Sequence, residues 1–185
     1  MQLHPKYPIV TDRLRLRPLT TADVDSLLTY RGRADVCRYL PFEPMTRQVL
    51  LGRLRTDLGR TAITQEGQSL TLGVELAETG RLVGDLVLFF RSREHAAGEL
   101  GYVFHPEVTG RGYATEAARA MLELAFGQLG LHRVIARLDA RNLPSAKLAA
   151  RLGMRQEAHF VKNEIFKGEW ADELVYAILA DEWQA

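Results

Sequence analysis

Apolar and polar residues alternate at the start of the chain: Leu14 and Leu16 sit between Arg13, Arg15 and Arg17. That two-residue period predicts a half-buried strand with the arginines on its solvated face, ended by Pro18. Thr20, with Asp23 three residues on, has the form of a capping box, and Val24, Leu27 and Leu28 then give a first helix its apolar stripe. Thr46 can cap a second helix carrying Leu50, Leu51, Leu54 and Leu58. Three strands follow: Ser69–Leu76 and Leu82–Phe90, joined as a hairpin through Glu78-Thr79-Gly80, and Gly98–Phe104, stopped by His105-Pro106.

The strongest helical signal comes next. Ala118, Met121, Leu122, Ala125 and Leu129 fall on one face, Glu116, Arg119 and Glu123 on the other, and Gly130 supplies the stop. Val134–Leu138 reads as a strand and Pro144–Leu152 as a short helix ended by Gly153. Strands near Arg155–Val161 and Glu173–Leu179 bring the total to about seven. A helical crossover joins parallel neighbours, so Gly98–Phe104 and Val134–Leu138 should run side by side in an otherwise antiparallel sheet. The expected class is α+β with a mixed sheet flanked by helices.

Composition narrows the function. A length of 185 residues suits one domain over residues 1–185, and no repeat or Gly/Ser linker divides it. Lys and Arg number 24 against 23 Asp and Glu, which leaves no basic footprint for nucleic acid. Cys37 stands alone, so neither an internal disulfide nor a CxxC motif can form. His4, His95, His132 and His159 share no ligand spacing, and His105, before a proline in a loop, reads as structural. No apolar run approaches a membrane span, and nothing resembles a signal peptide, so the cytoplasm is the expected compartment.

The chemistry centres on Thr109-Gly110-Arg111-Gly112-Tyr113-Ala114-Thr115, between a strand end and a helix start. Helix N-terminal amides attract anions, and glycines let a phosphate reach the backbone. A plain glycine-rich connection is the alternative. A Walker loop would need a Lys-Ser or Lys-Thr pair that is missing here. A dinucleotide fingerprint would need glycine where Thr115 stands, although Asp139 could mimic its ribose-binding acid.

With these segments in place, the chain resembles the GNAT superfamily of N-acetyltransferases, in particular its RimJ/RimL-like branch. The glycine and final small residue of Thr109–Ala114 fit the family's pyrophosphate loop, while Thr109 departs from its first position. Glu99-Leu100-Gly101-Tyr102 before His105-Pro106, Asn142-Leu143-Pro144-Ser145, and Leu152-Gly153-Met154 match further segments. So do Lys167-Gly168-Glu169-Trp170 with Asp172 and the closing Asp181-Glu182-Trp183. Order and spacing agree from about Thr11 to Trp183.

The resemblance implies that the parallel pair splays apart and admits acetyl-coenzyme A, with no metal. Arg111, Gly112, Tyr113, Ala114 and Thr115 would hold its pyrophosphate, and the backbone of Tyr102, Val103 and Phe104 its pantetheine arm, while Asn142 would orient cofactor and backbone. It implies Glu99 as general base and Ser145 as proton donor to the leaving thiolate; some members use a tyrosine where this chain has Ala149. Bland readings stand beside these: Glu99 as an edge carboxylate, Ser145 and Asn142 as turn or cap residues, Tyr102 and Tyr113 as packing.

The acceptor would be an amine, on a protein N-terminus or a small molecule such as an antibiotic, polyamine or amino acid. A non-catalytic acyl-CoA-binding module is the third reading. The two early helices and the late hairpin should frame the acceptor, with Phe166 and Trp170 at its mouth or merely at an exposed tip. The expected assembly is a monomer or homodimer.

Overall fold

A computed structural model describes residues 1–184. Eight strands form one sheet in the order β1-β2-β3-β4-β5-β6-β8-β7. They are β1 (Ile9–Val10), β2 (Leu14–Pro18), β3 (Ser69–Leu76), β4 (Leu82–Ser92), β5 (Ala97–Phe104), β6 (Arg133–Asp139), β7 (Arg155–Phe166) and β8 (Glu169–Leu179). Every neighbouring pair is antiparallel except β5 and β6. The strand beyond the expected seven is β1, a two-residue edge too short to show a period.

Helices cover both faces. On one side lie α1 (Val24–Arg31), α2 (Ala34–Cys37) and α3 (Arg47–Leu54), with Val24, Leu27, Leu50 and Leu54 packed against Leu82 and Val103. On the other lie α4 (Tyr113–Glu123) and α5 (Leu143–Arg151), whose Ala117, Ala118, Met121 and Leu148 meet Leu86, Leu100 and Val134. The apolar stripe read from Ala118 to Leu129 is therefore the larger core's helical wall. A π-helical segment, Leu124–Gln128, continues α4, and Gly130, at φ +74°, ends the run. Trp183 closes the tail onto this helix, donating from its indole to Glu123 at 3.2 Å beside Phe126.

Three segments differ from the sequence reading. Helix α2, four residues long, has no room for a helical period. Strands β7 and β8 run longer than expected because register slips between Phe160 and Glu164 and pairing then resumes. The apolar pattern is silent there, since nearly all of β7 is an exposed edge. The arginines around β2 are a solvated face only in part: Arg13 and Arg15 are exposed and Arg17 is half-buried. Arg17 bonds Asp23 and Glu75, and Arg13 is held by Glu116.

Beneath α1 lies a buried polar cluster. Asp85 of β4, 1% exposed, takes two hydrogen bonds from Arg31, 4% exposed, and a third from the Tyr30 hydroxyl at 2.8 Å. The Arg31 carbonyl in turn accepts from the Met45 amide at 2.9 Å and the Cys37 thiol at 3.4 Å. One ion pair thus ties the sheet to the α1–α2 side. His105 is buried nearby, its Nδ1 accepting from the Glu107 amide, which agrees with a structural role. Among the described residues, no helix is long and apolar enough to cross a membrane.

Candidate functional site

Strands β5 and β6 are hydrogen-bonded partners only at Ala97–Arg133, Gly98–Val134 and Glu99–Ile135. Past Glu99 they part. β5 stays paired to β4 through Phe104, and β6 stays paired to β8 through Asp139. Each arm keeps its outer neighbour, so opening the V forfeits only the inner hydrogen bonds. The backbone edges of 100–104 and 136–139 are then free for a ligand to pair with. A cleft of about 1120 Å³ runs along this opening.

At one end the chain turns through Pro106–Val108 and enters α4 with Gly110 at φ +81° and Gly112 at φ +80°. These left-handed values suit glycine. Gly112 is the N-cap, and the first bond of the helix runs from the Glu116 amide to the Gly112 carbonyl at 3.1 Å. The amides of Tyr113, Ala114 and Thr115 therefore have no acceptor within the helix, and the dipole adds partial positive charge at the same point.

Arg13 anchors this loop. Its guanidinium donates to the Arg111 carbonyl at 2.9 Å and to Glu116 at 2.7 Å, and stacks 4.7 Å from the Tyr113 ring centroid. Glu116 also accepts from the Thr11 hydroxyl at 2.6 Å and the Arg13 amide at 2.8 Å. Burial alone would raise this carboxyl, but those hydrogen bonds outweigh it and hold the group below its ordinary 4.5. The resulting stabilisation is complete above that ordinary value and is lost as pH falls through the lower folded one. Glu116→Gln should accordingly flatten part of the acid limb in a plot of melting temperature against pH. It should also weaken anion binding at the loop by a few-fold; an unchanged acid limb would show that Glu116 is not the anchor.

At the far arm, Asn142 caps α5 by accepting from the Ser145 amide at 3.3 Å, with Pro144 beside it. Both Asn142 and Ser145 line the cleft. The Tyr102 hydroxyl reaches across from β5 and donates to the Ser145 carbonyl at 3.1 Å.

Most residues nominated from sequence come together here. Tyr102, Val103, Phe104, Gly112, Tyr113, Ala114, Thr115, Asn142 and Ser145 all line the cleft. Arg111 does not: its carbonyl is held by Arg13 and its side chain is not on the wall, whereas Arg119 and Arg151 are. Arg119 was read on the polar face of its helix, and nothing in the pattern of α5 singled out Arg151.

Glu99 is also off the cleft wall. It stands at the apex of the V, on the α1–α3 face with Val103, opposite to Leu100, Tyr102 and Phe104. Its carboxylate is 17% exposed, and Oε2 accepts from Arg91 Nε at 2.9 Å and is ion-paired with Nη2 at 2.8 Å. Oε1 makes no hydrogen bond among the described residues. An amine arriving from that face would meet Glu99 before it met the gap.

That face is closed by contacts the sequence did not announce. Val36, Tyr39 and Leu40, from α2 and just after it, line the cleft. At the β7–β8 tip Lys167 donates to the Cys37 carbonyl at 2.7 Å and the Phe42 carbonyl at 2.9 Å. The late hairpin therefore meets α2 and the segment after it, which the sequence reading lacked, and not the two early helices expected to frame the acceptor with it. Phe166 and Trp170 do not line the cleft, and Trp170 is 61% exposed, an exposed hairpin tip.

Residues 13–155 match the acetyltransferase (GNAT) domain family. The chain is 34% identical over 175 residues to the uncharacterized N-acetyltransferase YnaD of Bacillus subtilis (strain 168), covering 95% of this chain and 98% of that one. It is 25% identical over 191 residues to the [Ribosomal protein uS5]-alanine N-acetyltransferase of Escherichia coli (strain K12), covering 97% and 94%. Among solved structures, an acetyltransferase (GNAT family) from Bacillus anthracis superposes with a TM-score of 0.83 at 32% identity, over 94% of this chain and 98% of that one.

Proposed function

The chain belongs to the GNAT acetyltransferase family and is an N-acetyltransferase, and from that premise we propose that it moves the acetyl group of acetyl-coenzyme A to a protein N-terminal α-amine. The observation that carries this reading is the open V, whose free strand edges lead to three unspent helix amides. Such a site fits an elongated molecule with a diphosphate at one end and a peptide-like arm. Residues 1–185 act as one domain in this reading.

The amides of Tyr113, Ala114 and Thr115, with Gly112 leaving room, receive the diphosphate. Arg119 and Arg151, with Arg111 beside the loop, add positive charge for further phosphate oxygens. The free edge of Tyr102, Val103 and Phe104 pairs with the amide-bearing arm, and one of its N–H groups can hydrogen-bond the thioester oxygen as charge develops there. Asn142 holds the first turn of α5 against the cleft. Bound in this way, acetyl-coenzyme A supplies an acyl carbon activated by a thiol leaving group.

Glu99 accepts the proton that the attacking nitrogen loses, directly or through one water, using the oxygen that Arg91 leaves free. An α-amine, at an ordinary pKa of about 7.7–8.0, is partly neutral near pH 7, so a weak base suffices. Ser145 is the hydroxyl that the sequence nominates for protonating the departing sulfur, and Tyr102 brings a second one to the same wall. Similarity to the uS5-alanine enzyme along nearly the whole chain supports the α-amine acceptor and the RimJ/RimL-like branch.

The test is release of free thiol when purified protein meets acetyl-CoA and either α-amino peptides, the same peptides with blocked N-termini, or small amines. Thiol release with the free peptides alone is expected. Turnover confined to antibiotics, polyamines or amino acids would replace the protein acceptor with a metabolite. Release with none, alongside intact binding of CoA, would favour a non-catalytic module. Glu99→Gln should lower turnover about 100-fold, most at low pH where free amine is scarce, with CoA affinity nearly intact. A wild-type pH–rate profile in that variant would remove Glu99 from the mechanism.

A further inference from the structure

Packing does not exhaust what Tyr102 does. It lies three residues past Glu99, the last β5 position paired with β6, and so stands on a free arm of the V. Its ring packs against the α4–α5 core, and its hydroxyl crosses to the opposite wall, donating to the Ser145 carbonyl at 3.1 Å. Tyr102 and Ser145 both line the cleft. Glu99 occupies the other face of the sheet. The gap between the arms therefore has a carboxylate on one side and a phenol on the other.

We infer that Tyr102 is a catalytic residue whose hydroxyl gives the departing sulfur its proton. This rests on the acetyl-transfer reading above. The amine nitrogen bonds to the acyl carbon, the carbon–sulfur bond breaks, and sulfur leaves with the electron pair. The phenol proton passes to sulfur to give the thiol. The proton lost by the amine, taken up at Glu99, returns to the phenolate through water, so one amine and one thioester become one amide and one thiol.

Three features favour the phenol over the Ser145 hydroxyl. Burial pushes the phenol up to about 12, so it stays protonated through the neutral range. An aliphatic hydroxyl is a far weaker acid than a phenol, because its conjugate base has no ring to delocalise the charge. The resting acceptor is a neutral carbonyl, which a charged thiolate outcompetes. Rotation about one C–O bond redirects the proton. Ser145 then acts through its backbone, as the rest on which the donor waits.

Tyr102→Phe keeps the ring and removes the proton. Turnover should fall about 100-fold or more, with KM for acetyl-CoA within about threefold and melting within a few degrees. Ser145→Ala should lose clearly less turnover than Tyr102→Phe. A second readout needs no turnover. At about pH 9, where a free thiol of ordinary pKa near 8.5 is largely ionised, the wild type should bind CoA more tightly than desulfo-CoA. Tyr102→Phe should abolish that preference. Should phenylalanine loosen the core, 3-fluorotyrosine placed at position 102 should shift the alkaline limb of turnover to lower pH.

A variant that retains wild-type turnover, or a retained preference for CoA, would overturn the assignment. So would a loss confined to Ser145→Ala. If the wild type transfers no acetyl group, the functional reading fails separately, while the thiol preference still reports on Tyr102.

Discussion

Asp85→Ala should lose about 3–5 kcal/mol of folding stability, because it strands the Arg31 guanidinium and the Tyr30 hydroxyl inside the α1–sheet interface. The geometry leaves no other outlet: both charged groups are almost fully buried, and Asp85 accepts hydrogen bonds from Arg31 and Tyr30. For a chain of this length each kcal/mol is roughly 2–4 °C, so melting should drop by about 6–20 °C. The partner substitution separates charge from shape. Replacing both groups with apolar residues of similar volume, Asp85→Leu with Arg31→Met, should recover much of the loss, since no unpaired charge remains. A loss below about 1 kcal/mol for Asp85→Ala would mean that water reaches the pair. The effect should extend to the cleft, because the Arg31 carbonyl positions Cys37 and Met45 and the α2 wall depends on them.

Gly112→Val should weaken CoA binding by roughly 30- to 1000-fold, which corresponds to about 2–4 kcal/mol. Two costs combine. Position 112 has φ +80°, a conformation a β-branched residue resists, and a Cβ there would come within 3.3 Å of Arg13 Nη2. The loop must shift, and with it the amides of Tyr113–Thr115. Hydrogen bonds to a charged ligand contribute about 1.5–3 kcal/mol each, so misplacing even one or two is enough. Gly110→Ala is the informative control. Gly110 has a similar φ, but open space surrounds its missing Cβ, so only backbone strain is added there. Calorimetric titration with CoA would rank the two. Equal affinity in wild type and Gly112→Val would remove this loop as the anion site.

The sequence was most readable where one face of an element is buried. Leu14 and Leu16, the hairpin around Gly80, and the stripe from Ala118 to Leu129 all occupy the elements their spacing predicted. The loop at Gly112 was also legible, since positive φ and a helix start leave their mark in residue type. The far half of the edge strand β7, beyond Val161, was not, because exposed residues carry no burial period, and α2 was too short to show one. Arg13 is exposed, as read, but its hold on the loop was not legible for a related reason. Its partners, Arg111 and Glu116, lie about a hundred residues away, and no local pattern encodes such a contact.

Local chemistry, then, determined the elements, the parallel crossover and the anion-ready turn, because hydrophobic period, capping and glycine φ are properties of short segments. Only the folded chain decided where β5 and β6 part, that Glu99 and Tyr102 stand on opposite faces of the opening, and that Lys167 meets α2. Those outcomes depend on which distant groups satisfy one another's hydrogen bonds and fill one another's volume, and such pairings exist only in three dimensions.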